Sequence, residues 1–363
     1  MAARMNVTYR VRGDAASIEA RARAIAVEQS VEMPVEAIED PAVLDGIVGT
    51  VEAIAPGGEG VFEVRIGLAV DTTGFEIGQL LNMLFGNSSI QDDVTLQDVD
   101  FPAALTAAFA GPRHGLGELR RRVGAEGRAL TCSALKPQGM SAADLGRLAG
   151  RLARGGLDYI KDDHGLADQR YSPFADRVQA CAEAVAAAGG RTRYVPSLSG
   201  HLDQLREQAE TALAAGIDTV LVAPMILGLP SVHALVREFP ALAFMAHPAM
   251  AGAARIAPPL LLGKIFRLIG ADATVFPNHG GRFGYSPETC RALAAAALDP
   301  WADYRATVPV PAGGMTLART AEMLDFYGRD SMLLIGGNLL SARERLVEEA
   351  QAFTDAVRRH SYR

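Results

Sequence analysis

The chain has 363 residues, of which 49% are hydrophobic and 21% are charged, and its formal net charge is −7. This composition supplies a folded core and argues against intrinsic disorder, and the negative charge argues against a nucleic-acid partner. No apolar run reaches membrane-spanning length and the amino terminus lacks the apolar region of a signal peptide, so we expect a cytoplasmic protein without a membrane partner.

Residues 1–128 are predicted to form an N-terminal α+β domain and a bridge to the next domain. Asp14 is the expected N-cap of the first helix, and a turn is expected at Pro56, Gly57 and Gly58. The predicted strands are 6–13, 46–55 and 60–70, and the predicted helices are 14–30 and 74–86.

Residues 129–363 alternate between short apolar strands and Ala/Leu/Arg-rich helices. The predicted strands are 129–135, 158–163, 192–198, 219–225, 243–248, 273–278, 306–312 and 332–337. The predicted helices are 141–154, 174–188, 202–215, 229–238, 258–269, 287–297, 316–327 and 341–358. Eight such units predict a (β/α)8 barrel. An open eight-stranded sheet would need the same units, but polar residues follow most of the strands, as is typical of the active-site end of a barrel.

Lysine is rare in this chain. Only Lys136, Lys161 and Lys264 are found among 35 cationic residues, and the others are arginine. An amine can lose its proton, act as a base or bond to carbon, which a guanidinium does not do under ordinary conditions. Lys136 and Lys161 lie at the ends of predicted strands, and we therefore place the chemistry there.

The segment Lys161-Asp162-Asp163-His164 ends the second barrel strand. Residues two apart on a strand share a face, so Lys161 and Asp163 point the same way, and a turn can bring His164 to the same point. A carbamate formed from the neutral lysine amine and CO2 would complete a three-ligand metal site there. An ion pair of Lys161 with Asp162 or Asp163 explains the spacing equally well, so both interpretations stay open at this point.

Several segments resemble, in the correct order, those of the RuBisCO large-chain superfamily. GGLDYIKDDHG, followed by YSPF, resembles the metal-binding segment of that family, and ALKPQGMS resembles its segment after the first barrel strand. LLGKIFRLIGADATVFPNHG resembles the segment that ends in an active-site histidine, and PAGGM and LLIGGN resemble two phosphate loops. In the N-terminal domain, AIAVEQS and MLFGNSS resemble two further family segments. The chain is identified as a member of the RuBisCO-like proteins (form IV). The resemblance implies an α/β fold in which a ferredoxin-like α+β domain precedes a (β/α)8 TIM barrel.

The resemblance also assigns roles to individual residues. The implied ligands of a divalent metal, Mg2+ in most of the family, are Lys161 carbamylated by CO2, Asp163 and His164. The implied catalytic residues are Lys136, Lys161, His247 and His279. Backbone N–H groups would hold a phosphate at Gly313, Gly314, Gly336 and Gly337. The partner subunit of a homodimer would supply Glu28 and Asn87.

The chain departs from the carboxylases of this family at several positions. The loop 279–288 contains no lysine, so CO2 fixation is not expected. Gln138 replaces a second lysine and Pro248 replaces a phosphate-binding arginine, so we expect one bound phosphate, with Arg282 as a candidate replacement cation. His164 stands in place of a glutamate, which weakens the assignment of Mg2+ and favours Mn2+ or another divalent ion.

What remains is metal-assisted enediolate chemistry on a small phosphorylated substrate. We favour decarboxylation of a 3-oxo sugar-acid phosphate of the 3-oxo-isoapionate 4-phosphate type. A substrate that carries its own carboxylate suits a less anionic metal site, and the KDDH form resembles the apionate-pathway branch. The alternatives are enolisation of a methylthio diketo phosphate and 1,3-isomerisation of a methylthio-ketose phosphate. A Schiff-base aldolase and a non-catalytic scaffold also stay open.

Four residues carry weaker signals. His201 follows the third barrel strand, and we expect it to line the substrate pocket. Asp162 is expected to be solvated or to support its neighbours rather than to bind metal. Cys132 is expected to pack in the core, and Lys264 is expected to be structural.

Overall fold

The computed structural model describes residues 3–109 and 111–362. The chain folds into two compact units, one formed by Met1–Ala110 with Met250–Leu261 and the other by Gly111–Ala249 with Leu262–Arg363. The expected domain boundary, between residues 128 and 129, lies at the start of the first barrel strand, whereas the compact units divide at residue 111.

The first unit is built on a four-stranded antiparallel sheet in the order β2-β3-β1-β4. Its strands are β1 (Arg4–Arg12), β2 (Thr50–Gly58), β3 (Val61–Ala69) and β4 (Val94–Asp100), and its helices are α1 (Ile18–Glu28), α2 (Pro41–Gly46), α3 (Ile77–Phe85) and α4 (Ala103–Phe109). This order confirms the ferredoxin-like arrangement. Strand β4 is not among the predicted strands, because it carries mixed polar and apolar residues. Segment 250–261 joins this unit through two backbone hydrogen bonds with β4. The N–H of Leu96 donates to the carbonyl of Arg255, and the N–H of Ala257 donates to the carbonyl of Leu96.

Two local predictions in this unit were wrong. Strand β2 continues through Gly58, and Pro56 pairs with Phe62, so the hairpin turn falls at residues 59–60. Proline is tolerated there because β2 is an edge strand and a register shift directly follows Pro56. Asp14 lies outside helix α1, which begins at Ile18, and its carboxylate accepts from the backbone N–H of Ala16 and Ser17 in the preceding turn.

The second unit contains the eight predicted parallel strands. They are β5 (Leu130–Leu135), β6 (Tyr159–Asp162), β7 (Arg193–Val195), β8 (Thr219–Val222), β9 (Ala243–Ala246), β10 (Ala273–Pro277), β11 (Val308–Ala312) and β12 (Met332–Leu334). They pair in the orders β12-β5-β6-β7 and β8-β9-β10-β11. Backbone bonds from Leu198 and Leu221 join β7 to β8, and β11 lies beside β12, so the strands close into the expected barrel.

Helices follow the barrel strands as predicted. They are α5 (Gly115–Val123), which precedes β5, then α6 (Ala142–Arg154), α7 (Phe174–Ala187), α8 (Leu202–Ala214), α9 (Pro224–Leu227), α10 (Leu229–Glu238), α11 (Phe266–Leu268), α12 (Pro287–Leu298), α13 (Thr320–Tyr327), α14 (Gly337–Leu340) and α15 (Leu346–Arg359). A π-helix, Pro259–Ile265, occupies most of the predicted helix 258–269. Among the described residues, no helix is long and apolar enough to cross a membrane.

Helix α5 packs against the side chains that fill the barrel. Its buried residues Leu116, Leu119 and Val123 join a cluster to which every barrel strand contributes, and that cluster includes Cys132 as expected. The Tyr159 hydroxyl on β6 donates to the carbonyl of Leu119 at 2.8 Å. Asp272, just before β10, accepts from the backbone N–H of Gly115 at 2.7 Å and so fixes the start of the helix.

We expect Leu119→Ala to destabilise the protein by about 2–5 kcal/mol, because it opens a cavity at a site that is 0% exposed. Chemical denaturation of the full chain, followed by circular dichroism, would measure this loss. Arg121→Ala, on the exposed side of the same helix, is the control and should change stability by no more than about 0.5 kcal/mol. Equal unfolding midpoints for the two variants would contradict a packing role for α5.

Candidate active site

Five of the predicted site residues meet at the carboxyl ends of the barrel strands. Lys136 follows β5, Lys161 is the last residue but one of β6, Asp163 and His164 lie just beyond that strand, and His247 follows β9. Lys136 Nζ lies 2.6 Å from Asp163 Oδ1, and His164 Nδ1 lies 3.4 Å from the same oxygen. The rings of His164 and His247 stack with centroids 4.1 Å apart.

Lys161 is buried, with 3% of its surface exposed. Its Nζ donates to the backbone carbonyl of Asp162 at 2.7 Å, and among the described residues it forms no ion pair with either neighbouring carboxylate. The ion-pair interpretation of the spacing is therefore wrong for Lys161. Burial lowers the pKa of its ammonium, which favours the neutral amine, the form that can react with CO2.

Asp163 is held as a carboxylate. Burial opposes the charge, but hydrogen bonds from His164 and Lys136 outweigh it and keep the pKa of Asp163 below its ordinary value. An ionised carboxylate at the strand end offers oxygen ligands to a cation, and its present counter-ion is the Lys136 ammonium.

His247 is held neutral. Burial is the largest cause and lowers its pKa to about 2. Its Nδ1 accepts from the backbone N–H of Ala249 at 3.2 Å, so the proton of the neutral ring lies on Nε2. The ring can therefore donate one hydrogen bond to a substrate oxygen without carrying a positive charge.

The donor set fits a divalent metal on one condition. Among the described residues, no three His, Cys, Asp or Glu side chains are arranged to hold a metal ion. Asp163 and His164 would supply two ligands, and Lys161 would supply a third if its amine became a carbamate. The His164 imidazole suits Mn2+, Co2+ or Zn2+ better than Mg2+, which prefers oxygen ligands.

Asp162 points away from the other residues of the KDDH segment. Its side chain is 0% exposed and pairs with Arg177 of α7, with Nε and Oδ2 3.0 Å apart. It also accepts from the Tyr194 hydroxyl at 2.7 Å and the Ser197 N–H at 3.0 Å. Asp162 is therefore not solvated. The alternation of side chains along a strand indicated that it faces away from Lys161, but no sequence signal indicated Arg177 or Tyr194 as its partners.

The two glycine loops differ in their surroundings. Gly313 and Gly314 have φ of +80° and +94°, and a Cβ at Gly314 would stand 2.8 Å from the Cα of Gly281. The backbone N–H of Arg282 donates to the Gly313 carbonyl at 3.4 Å, and the Phe283 ring lies against Gly313. Packing of the loop after β10 thus explains these two glycines without a phosphate.

Gly336 and Gly337, by contrast, face open space, since no atom lies within 4 Å of a Cβ placed at either position. A ligand therefore has room to approach the backbone at these two positions. Arg282 stacks on Phe283, with Cζ 5.1 Å from the ring centroid. The phosphate-binding roles of Arg282 and of all four glycines stay predictions.

Two predicted site residues, His279 and His201, lie outside the cluster formed by the five residues that meet at the strand ends. The His279 ring packs on Phe326 with centroids 4.4 Å apart, and burial lowers its pKa. His201 is the N-cap of α8 and forms a reciprocal capping box with Gln204. Its position near a strand end thus has a structural explanation that the sequence analysis did not consider, and its role in lining the pocket stays a prediction.

Glu28 and Asn87 lie together in the first unit. The Asn87 Nδ2 donates to Glu28 Oε1 and to Glu32 Oε1, each at 2.8 Å. Glu32, which the sequence analysis missed, has a left-handed backbone with φ of +53°. Both N–H groups of the amide are bound to carboxylates, which leaves its carbonyl oxygen as the free acceptor. The assignment of Glu28 and Asn87 to a neighbouring active site stays a prediction.

Known proteins match this chain over nearly its whole length. A family model for the ribulose bisphosphate carboxylase large chain, catalytic domain, matches residues 115–278. A 5-methylthioribulose-1-phosphate isomerase of Rhodospirillum rubrum is 62% identical over 362 residues, which cover 98% of this chain and 97% of the relative. A 2,3-diketo-5-methylthiopentyl-1-phosphate enolase of Geobacillus kaustophilus is 33% identical over 80% of this chain and 74% of the relative.

A solved structure gives the same relationship. The crystal structure of a Rubisco-like protein from Rhodopseudomonas palustris is 55% identical, covers 99% of each chain and superposes with a TM-score of 0.93. The barrel, the N-terminal sheet and these similarities agree, and the chain therefore belongs to the RuBisCO large-chain family, among the RuBisCO-like enzymes rather than the true RuBisCOs.

Proposed function

We propose that the protein is a metal-dependent isomerase of a 5-methylthio-ketose phosphate that acts through an enediolate. The observation that carries the proposal is the 62% identity, over 98% of the chain, to a protein named 5-methylthioribulose-1-phosphate isomerase. The relatives that support it are named isomerase and enolase, so they favour the alternative of the sequence analysis over the decarboxylase. Nothing in the site geometry calls for a substrate with its own carboxylate.

The cluster contains the groups that such an isomerisation needs. A proton must leave the carbon next to the ketone and return at another carbon, and a divalent metal on carbamylated Lys161, Asp163 and His164 would polarise the substrate oxygens. Lys136 would be the acid or base, since its ammonium already lies 2.6 Å from Asp163 at the edge of the cluster. His247, neutral with its proton on Nε2, would donate to a substrate oxygen.

The remaining features of the proposal concern the substrate phosphate and the assembly. One phosphate would bind at the loop after β12, where Gly336 and Gly337 face open space. The protein would be a homodimer in which Glu28 and Asn87 of one subunit reach the active site of the other. The metal would be Mg2+ or, because of His164, Mn2+ or another divalent ion.

The proposal is tested with 5-methylthioribulose 1-phosphate, bicarbonate and a divalent metal in D2O. We expect an isomeric ketose phosphate with deuterium at carbon and no CO2 release, followed by proton NMR and CO2 detection. Turnover of a methylthio diketo phosphate alone would move the assignment to enolase. CO2 release from a 3-oxo sugar-acid phosphate would restore the decarboxylase. Inactivity with the ketose phosphate would overturn the proposal.

Lys161→Arg should abolish metal-dependent turnover, because a guanidinium does not form the carbamate. Carbon-13 NMR with labelled bicarbonate should show a carbamate signal in the wild-type protein that the variant lacks. Borohydride trapping of substrate on the wild-type protein is the companion experiment. Covalent trapping at Lys161 without a carbamate signal would favour a Schiff-base aldolase instead.

Lys136→Met should lower kcat by about 10²- to 10⁴-fold, the usual contribution of a positioned acid or base, and should leave metal binding intact. Rates of deuterium uptake and Mn2+ binding would be measured in parallel. Lys264→Met replaces the one other lysine besides Lys161 and should retain activity. Equal activities of the two variants would remove Lys136 from the mechanism.

His164→Glu should shift the metal preference toward Mg2+, because it exchanges an imidazole for a carboxylate. The ratio of Mg2+ to Mn2+ affinities would be measured by titration of the metal-free protein. His201→Asn keeps a good N-cap residue outside the cluster and should leave that ratio at the wild-type value. An unchanged ratio in His164→Glu would argue that His164 is not a ligand.

A further inference from the structure

Asp162 stands between two of the implied metal ligands in the sequence, but its side chain points to the outer side of the barrel, where helix α7 packs. Lys161 and Asp163 share one face of the strand end, while Asp162 faces the layer between the strands and helix α7. Its side chain and that of its partner Arg177 are both 0% exposed. The mechanism proposed above uses neither residue.

Three groups hold the two oxygens of Asp162. Arg177 of α7 lies 3.0 Å from Oδ2, the Tyr194 hydroxyl of β7 donates to Oδ1 at 2.7 Å, and the Ser197 N–H donates to Oδ2 at 3.0 Å. Arg177 also donates to the Ser172 carbonyl at 2.9 Å, which fixes the segment between the KDDH turn and α7. The Asp162 side chain therefore ties the strand end that carries the implied ligands to α7, to β7 and to the segment after β7.

A buried ion pair is weak evidence for stability, because desolvation of the two charges offsets most of their attraction. A positional role explains it better. The backbone carbonyl of Asp162 accepts from Lys161 Nζ at 2.7 Å, so the residue that anchors the strand end also orients the lysine amine. Groups that orient metal ligands from outside the coordination sphere commonly change metal affinity by about 10- to 100-fold when they are mutated.

We propose that Asp162 and Arg177 are positioning residues that set the geometry of Lys161, Asp163 and His164 for metal binding. This inference rests on the metal site of the proposed function. The pair acts through the backbone of the strand end and contacts neither the metal nor the substrate. Its loss is expected to weaken metal binding more than it weakens the fold.

The chain offers a matched control pair on the same strand segment. Asp158 immediately precedes β6 and pairs with Arg128 through two bonds of 2.7 Å. Asp158 is 4% exposed and also accepts from the backbone N–H of Thr131 at 2.8 Å. It is thus a second Asp–Arg pair with a buried carboxylate, although its arginine is 16% exposed, and it lies at the end of β6 opposite the site.

The test compares Asp162→Asn with Asp158→Asn in the full-length protein. Mn2+ affinity in the presence of bicarbonate would be measured by electron paramagnetic resonance, and stability would be measured by thermal unfolding. We expect Asp162→Asn to lose about tenfold or more in Mn2+ affinity, as for other residues that orient metal ligands. Asp158→Asn should lower the unfolding temperature but keep wild-type Mn2+ affinity.

Two milder variants cover the case in which Asp162→Asn fails to fold. Tyr194→Phe removes one bond to Asp162 and leaves no unpaired charge, and it should weaken Mn2+ binding at nearly wild-type stability. Asp162→Asn with Arg177→Met replaces the ion pair by neutral groups, which should recover stability but not Mn2+ affinity.

The outcomes separate this inference from the metal site itself. Wild-type Mn2+ affinity in Tyr194→Phe and the double variant, or equal losses of affinity in the Asp162 and Asp158 variants, would overturn the positioning role while leaving the metal site in place. A wild-type protein that binds no Mn2+ in the presence of bicarbonate would overturn the metal site and the positioning role together.

Discussion

The burial of the Lys161 amine at the end of β6 is the constraint on which the other site contacts depend. An amine removed from water loses its proton more easily and still needs a hydrogen-bond partner. The Asp162 carbonyl fills that need at 2.7 Å, which leaves the Asp163 carboxylate to the ammonium of Lys136. The two lysines therefore share one site without sharing a hydrogen-bond partner.

Strand geometry gives the two adjacent aspartates opposite roles. Asp163 faces the cluster, where His164 and Lys136 keep its pKa low. Asp162 faces the helix layer and is neutralised by Arg177. A one-residue shift of the strand register would exchange these roles and would turn Asp162 away from Arg177. Buried polar partners on both faces thus resist such a shift.

The loop after β10 is one of the segments in which this sequence differs from the carboxylases of the family. It contains no lysine, and its backbone packs on the loop after β11 through Gly281 and Gly314. Arg319 holds it from the other side by donating to the His279 carbonyl at 3.3 Å. Glycine is required where the two loops meet because a Cβ would collide with backbone, so a glycine pair that resembles a phosphate loop has a second physical explanation there.

The ferredoxin-like order was expected only from the resemblance to the family, since β4 was not among the predicted strands. The sequence by itself determined the eight strand–helix units and the placement of Lys136, Lys161, Asp163 and His164 at strand ends. These follow from local hydrophobic periodicity, strand alternation and motif order, which are properties of neighbouring residues. Only the tertiary structure decided that Asp162 pairs with Arg177, that His201 caps a helix and that His279 packs on Phe326. The contacts of Asp162 and His279 join different elements of the barrel, and burial and hydrogen-bond satisfaction select such contacts only once the elements have packed. The capping box of His201 with Gln204 is local, and it became visible only when the exact start of α8 was known.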